Sequence, residues 1–97
     1  MVNAEMEYTL KLDFSPKAKM KKLLQKIESI CNENGTVLLK HTEKSITLGA
    51  DSFETFSPAL LDIRYDDYIK ENLIGAYCTD PFDGTYPCLD EIMKDYK

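Results

Sequence analysis

The sequence predicts an α+β fold: a β-α-β-β run followed by two or three short helices, with a small three-stranded, antiparallel-type sheet and the helices packed on one face. Three observations lead there. Apolar and polar residues alternate over residues 7–14, an apolar stripe at helical spacing follows, and two more strand-like runs come next, joined by three polar residues.

The first run puts Tyr8, Leu10, Leu12 and Phe14 on one face and Glu7, Thr9, Lys11 and Asp13 on the other. A period of two over this length reads as a strand with one buried side. Ser15-Pro16 reads as a helix start, a hydroxyl cap followed by a proline whose missing N–H is harmless there. Met20, Leu23, Leu24, Ile27, Ile30 and Cys31 form the stripe of an amphipathic helix. Gly35 suits the left-handed residue that ends it, so the expected span is 16–33. Residues 36–41 and 45–49 read as strands, and the short 42–44 link makes them an antiparallel hairpin.

Residues 50–55 read as a loop. Ser57-Pro58 repeats the start signal of the first helix, and Leu60, Leu61 and Ile63 suit the buried side of a short one. Residues 63–65 leave open a fourth strand. Asp66 or Asp67 then caps a helical stretch over 68–74, closed by Gly75. Residues 76–87 read as a turn-rich loop, since Asp80-Pro81 and Asp83-Gly84 both carry turn chemistry. Pro87 permits a last helix bearing Leu89, Ile92 and Met93.

The 97 residues provide for a single domain, 1–97. A chain of this size buries roughly 65% of the surface that its unfolded form exposes. No apolar run approaches the roughly 20 residues of a membrane helix, and the first residues lack the basic start and apolar stretch of a secretion signal. Cytoplasmic residence is the expectation. It makes the Asn34-Gly35-Thr36 triplet a helix end rather than a glycosylation site. Cys31, Cys78 and Cys88 are too few for a disulfide framework and are expected as free thiols. Cys31 lies on the helical stripe, whereas Cys78 and Cys88 flank the turn-rich loop and are the more exposed candidates for a regulatory disulfide.

Metal and catalytic chemistry find little support. Zinc sites use ligand pairs with two to four residues between them, and nine residues separate Cys78 from Cys88. Residues 80–91 have the length of a calcium loop, but Phe82 and Gly84 stand where it needs oxygen ligands. His41 is the sole histidine and therefore the only base for a cysteine nucleophile. Each of the four glycines has a turn or cap to explain it, so no phosphate loop exists. No cofactor and no catalytic residue is expected. Lys17, Lys19, Lys21, Lys22 and Lys26 crowd the first helix, more as a solvated face than as an anion site.

Charge offers the functional hint. Residues 1–50 carry eight lysines against six acids, and residues 51–97 four basic residues against eleven acids, giving +2 and −7 within the total of −5. Five of the six tyrosines also lie in the second half. Carboxylates steer a basic partner and tyrosines anchor it at low entropic cost. The expectation is a small, non-enzymatic acidic domain that docks on a basic protein surface, as an inhibitor occupying a nucleic-acid-binding groove. Its docking residues would be Asp62, Tyr65, Asp66, Asp67, Tyr68 and Glu71, with Asp80, Asp83 and Tyr86 from the adjoining loop. A negative total argues against binding nucleic acid directly. The competing expectation is a structural or assembly protein that self-associates through an exposed sheet edge or an apolar patch, its charge incidental.

Overall fold

A computed structural model describes residues 7–93. The elements run β1 (Tyr8–Phe14), α1 (Met20–Asn34), β2 (Val37–His41), β3 (Ser45–Ala50), α2 (Phe53–Arg64), α3 (Asp67–Asn72), β4 (Leu73–Asp80), β5 (Gly84–Pro87) and α4 (Leu89–Met93). The strands form one five-stranded sheet in the order β2-β3-β1-β4-β5, every pairing antiparallel. The α+β class therefore stands, but the expected three-stranded sheet does not. Two strands come from residues 73–87, where a helix end and a turn-rich loop are expected from sequence.

β1 and β2 run parallel with β3 between them, and β3 and β4 run parallel with β1 between them. Two split β-α-β units interleave in this way. That is the ferredoxin-like connectivity, extended here by β5 and α4. Alternation along the strands sends Leu10, Leu12, Phe14, Ile46, Leu48, Ala76 and Cys78 to the helix side, where all are buried. Leu23, Ile27 and Ile30 of α1, Phe56, Ala59 and Ile63 of α2, and Ile92 of α4 meet them in one core. Each such leucine or isoleucine contributes about 1.5–3 kcal/mol by leaving water.

α1 starts four residues later than expected. The Ser15 hydroxyl accepts the Lys17 N–H (3.3 Å) in a tight turn, and the Ser15 N–H donates to the Asn72 carbonyl (2.8 Å). These bonds hold 15–18 as a turn against α3, and the helix begins at Met20 with Lys19 as an N-cap that supplies no side-chain bond. Its end is as expected: Gly35 lies at φ 73°, and its N–H reaches the Cys31 carbonyl.

α2 starts earlier than its Ser-Pro signal. Ser52 is the cap, its hydroxyl accepting the Thr55 N–H, which leaves Pro58 inside the helix. Proline lacks the N–H that would meet the Glu54 carbonyl, so one ladder bond is forfeited. Residues 63 and 64 belong to this helix rather than to a fourth strand. Asp66 is the cap of α3, and the expected helix over 68–74 stops at Asn72. Ile74 is the extra residue of a β-bulge, because Asp13 pairs with Gly75 while Phe14 pairs with Leu73.

Among the described residues, no helix is long and apolar enough to cross a membrane.

Candidate partner-binding surface

Antiparallel pairing decides which segments meet. Tyr8 lies opposite Ala50, Thr9 opposite Thr79, and Val37 opposite Gly49. One end of the sheet therefore gathers residues 7–9, 33–37, 49–55 and 79–84. These segments hold six acids, Glu7, Glu33, Asp51, Glu54, Asp80 and Asp83, and no lysine, arginine or histidine. All but Asp80 are well exposed. The opposite end gathers residues 13–22, 41–45 and 64–73, where seven lysines and arginines, with His41, face five acids. Among the described residues, charge is thus polarised along the strands.

The acidic end also carries the two most exposed phenylalanines. Phe82, at the tip of the β4–β5 hairpin, is 85% exposed, and Phe53, at the start of α2, is 61% exposed. Phe53 is steadied by Tyr8, whose ring lies 6.1 Å from it and 5.7 Å from that of Phe56. The hairpin tip is built by Asp80. Its Oδ1 accepts the N–H groups of Asp83 (2.6 Å) and Phe82 (2.9 Å), and Gly84 takes the left-handed conformation at φ 71°. Those N–H donors, Asp83 first, hold the Asp80 carboxyl below its ordinary range. Tyr86 projects from β5 opposite Cys78. Burial, then the neighbouring Cys78 and Asp80, push its phenol up to about 12.

The nine residues singled out from sequence fall into separate groups. Asp80, Asp83 and Tyr86 belong to the β4–β5 hairpin. Asp66, Asp67, Tyr68 and Glu71 lie in or next to α3, at the other end of β4, a strand of eight residues and roughly 25 Å. Two of this second group are engaged within the fold. Asp66 caps α3 through Oδ1, 3.0 Å from the Ile69 N–H, and its Oδ2 meets Lys26 Nζ at 3.1 Å. Tyr68 packs against the core, with its ring under Lys22 Nζ (4.2 Å) and its Oη accepting the Lys19 N–H (3.4 Å). The lysines of α1 thus cover much of what α3 offers. Asp67, Glu71 and Tyr65 remain exposed. Asp62 accepts a bond from Asn34 Nδ2 at 2.8 Å, which holds it beside the C-terminal end of α1.

Sequence reasoning missed Glu7, Glu33, Asp51, Glu54, Phe53 and Phe82 as possible contact residues. The signal was present in the β-α-β-β pattern: an antiparallel sheet brings acids from both halves of the chain to one end.

The sheet face away from the helices is covered by nothing among the described residues, and on it Thr9, Lys11, Lys40, Thr47, Tyr77, Thr79 and Thr85 surround a shallow depression of about 430 Å³. Its outer strands resist further pairing. β2 carries a register shift near Leu39, and β5 has four residues ending in Pro87. Cys78 and Cys88 correct another expectation. Both are buried, because Cys78 lies on the inner face of β4 and the Cys88 N–H donates to the Ala76 carbonyl (2.8 Å), continuing the ladder past β5. His41 ends β2, with β3 and β1 between its strand and the β4–β5 hairpin that carries the thiols. Among the described residues no group of three or more His, Cys, Asp or Glu converges to hold a metal ion.

No family model, no curated protein and no solved structure matches this chain.

Proposed function

We propose that this protein is a non-enzymatic binding domain, acting in the cytoplasm, whose acidic end docks on a basic surface of another protein. The surface it fits is of the kind that nucleic-acid-binding proteins present, which makes the domain an inhibitor of that binding. One observation carries the reading: six acids, no basic side chain and two exposed phenylalanines share the segments at one end of the sheet. Exposed acids alone serve solubility. Phenylalanines standing in water do not serve solubility, and aromatic side chains, Phe among them, are enriched at protein interfaces. The carboxylates would steer the partner and pair with its Arg and Lys, while Phe82 and Phe53 fill its pockets.

Affinity capture from a cognate lysate, with variant proteins in parallel, tests this. The expected captured proteins are basic, are displaced by added duplex DNA or RNA, and are released by roughly 0.5 M salt as surface charges are screened. Glu54→Lys/Asp83→Lys should abolish capture and Phe82→Ala should weaken it at least tenfold, whereas Asp67→Lys/Glu71→Lys at the other end should leave it intact. Capture insensitive to the first two variants would overturn the assignment. A concentration-dependent dimer that ignores salt in sedimentation would favour self-association instead.

A further inference from the structure

The two buried thiols of the β4–β5 hairpin lie with Sγ 2.8 Å from Sγ. That is well inside ordinary sulfur–sulfur contact. They sit diagonally on one face: Cys78 pairs with Tyr86, and Cys88 lies beside Ala76 two residues back. Diagonal same-face neighbours are farther apart than direct pairs, yet here the sulfurs meet.

Their surroundings differ. Cys88 lines a surface depression of about 380 Å³ together with Pro87, Leu89, Asp90 and Glu91. Cys78 lies behind it, on the core side of β4. The hydrogen bond from Cys78 holds the Cys88 thiol below its ordinary value, and the same bond, followed by burial, pushes Cys78 up. Both thiols are buried, and Cys88, the one that borders the surface depression, is the better placed nucleophile, with its partner behind it.

We propose that Cys78 and Cys88 are a redox-active dithiol site that closes to a disulfide by exchange with a low-molecular-weight aminothiol disulfide. The Cys88 thiolate attacks one sulfur of the reagent R–S–S–R, forming a Cys88–S–S–R mixed disulfide and releasing R–S⁻, which takes up the proton that Cys88 gave up. Cys78 then loses its proton and attacks the Cys88 sulfur, forming the internal bond and expelling the second R–S⁻, which is protonated in turn. The protein loses two electrons and two protons, and the reagent leaves as two thiols. The negative rim of Asp90 and Glu91 favours a reagent bearing ammonium groups. The disulfide closes a loop that contains the whole hairpin tip and restrains it. On the docking reading above, and only on it, the oxidised form presents Phe82 and Asp83 in a more fixed arrangement and binds more tightly.

The experiment treats the native, fully reduced protein with cystamine and follows its intact mass. The expected result is a loss of two hydrogens, a Cys78–Cys88 cross-linked peptide, and Cys31 as the sole thiol alkylated after denaturation. Cys78→Ala should instead retain one cysteamine on Cys88. Cys88→Ala should acquire none at Cys78 in the time the first variant takes to react fully. Alkylation of the reduced native protein keeps the inference testable if a variant fails to fold: iodoacetamide should label Cys88 at least tenfold faster than Cys78. Cleavage by chymotrypsin after Phe82 should slow roughly tenfold or more in the oxidised protein. Three thiols persisting in the treated native protein, or Cys78 reacting as fast as Cys88, would overturn the inference. A change in partner affinity between the two forms is a separate readout; its absence would count against the docking role of the hairpin and leave the thiol chemistry standing.

Discussion

Single side chains set the character of both ends of this molecule. At the acidic end Asp80 is a builder as much as a charge, since its carboxylate organises the turn that lifts Phe82 into water. The N–H groups of Asp83 and Phe82 stabilise the ionised form, so the folded-state value lies below the ordinary 3.8. The sign follows. On acidification the unfolded chain takes up this proton before the folded one does, so the stabilisation is complete above the ordinary value and is lost as pH falls through the lower folded value. A carboxyl-detected NMR titration should give Asp80 a lower midpoint in the native protein than in the urea-unfolded chain. Asp80→Asn keeps an oxygen acceptor and should remove the acid dependence of the hairpin. Equal midpoints in the two states would contradict this. At the basic end Asp66 shows why a carboxylate chosen from sequence as a contact residue can be spent inside the fold. Its place before Tyr68 and Ile69 already suggested a cap, but nothing local revealed that Lys26 would reach it from forty positions away.

Among the elements, β4 explains most of the distance between the expected and observed sheets. Leu73, Ala76 and Cys78 point inward, yet strict alternation fails between Leu73 and Gly75, because Ile74 is a bulge residue. Gly75, which resembles a helix terminator, instead lies within the strand opposite Asp13. The pattern also follows a true helix start at Asp66, which invited its extension by two residues. β1, α1 and the β2–β3 hairpin were legible because each satisfies its period without interruption. The bulge gives a direct contrast. Leu73→Ala removes a buried side chain and should cost about 2–5 kcal/mol. Ile74→Ala, at a side chain 61% exposed one position on, should stay within about 0.5 kcal/mol. Urea denaturation of both variants checks this, and equal losses would contradict the bulge. Pro58 misled in the other direction: a Ser-Pro pair that resembles a helix start sits inside α2, whose Ser52 cap and Thr55 partner are the weaker signal.

At the scale of the whole fold, the charge of the described residues divides by sheet end rather than by chain half. The sequence tally of +2 and −7 treated position in the chain as position in space. Antiparallel strands return the chain to each end several times, so Glu7 and Glu33 join Asp51, Glu54, Asp80 and Asp83, while the acids of α3 join the lysines of α1. Composition could show that acids were in excess; only the strand order shows where. The docking surface therefore keeps the hairpin residues expected from sequence and exchanges the α3 group for the opposite rim, across roughly 19 Å of sheet width. The most direct test is an NMR titration of the isotope-labelled protein with a short arginine-rich peptide at low salt. The account predicts shifts concentrated in residues 7–9, 33–37, 49–55 and 79–84 that vanish at roughly 0.5 M salt. Shifts centred on α3 and the outer sheet face, or spread evenly over the surface, would contradict it.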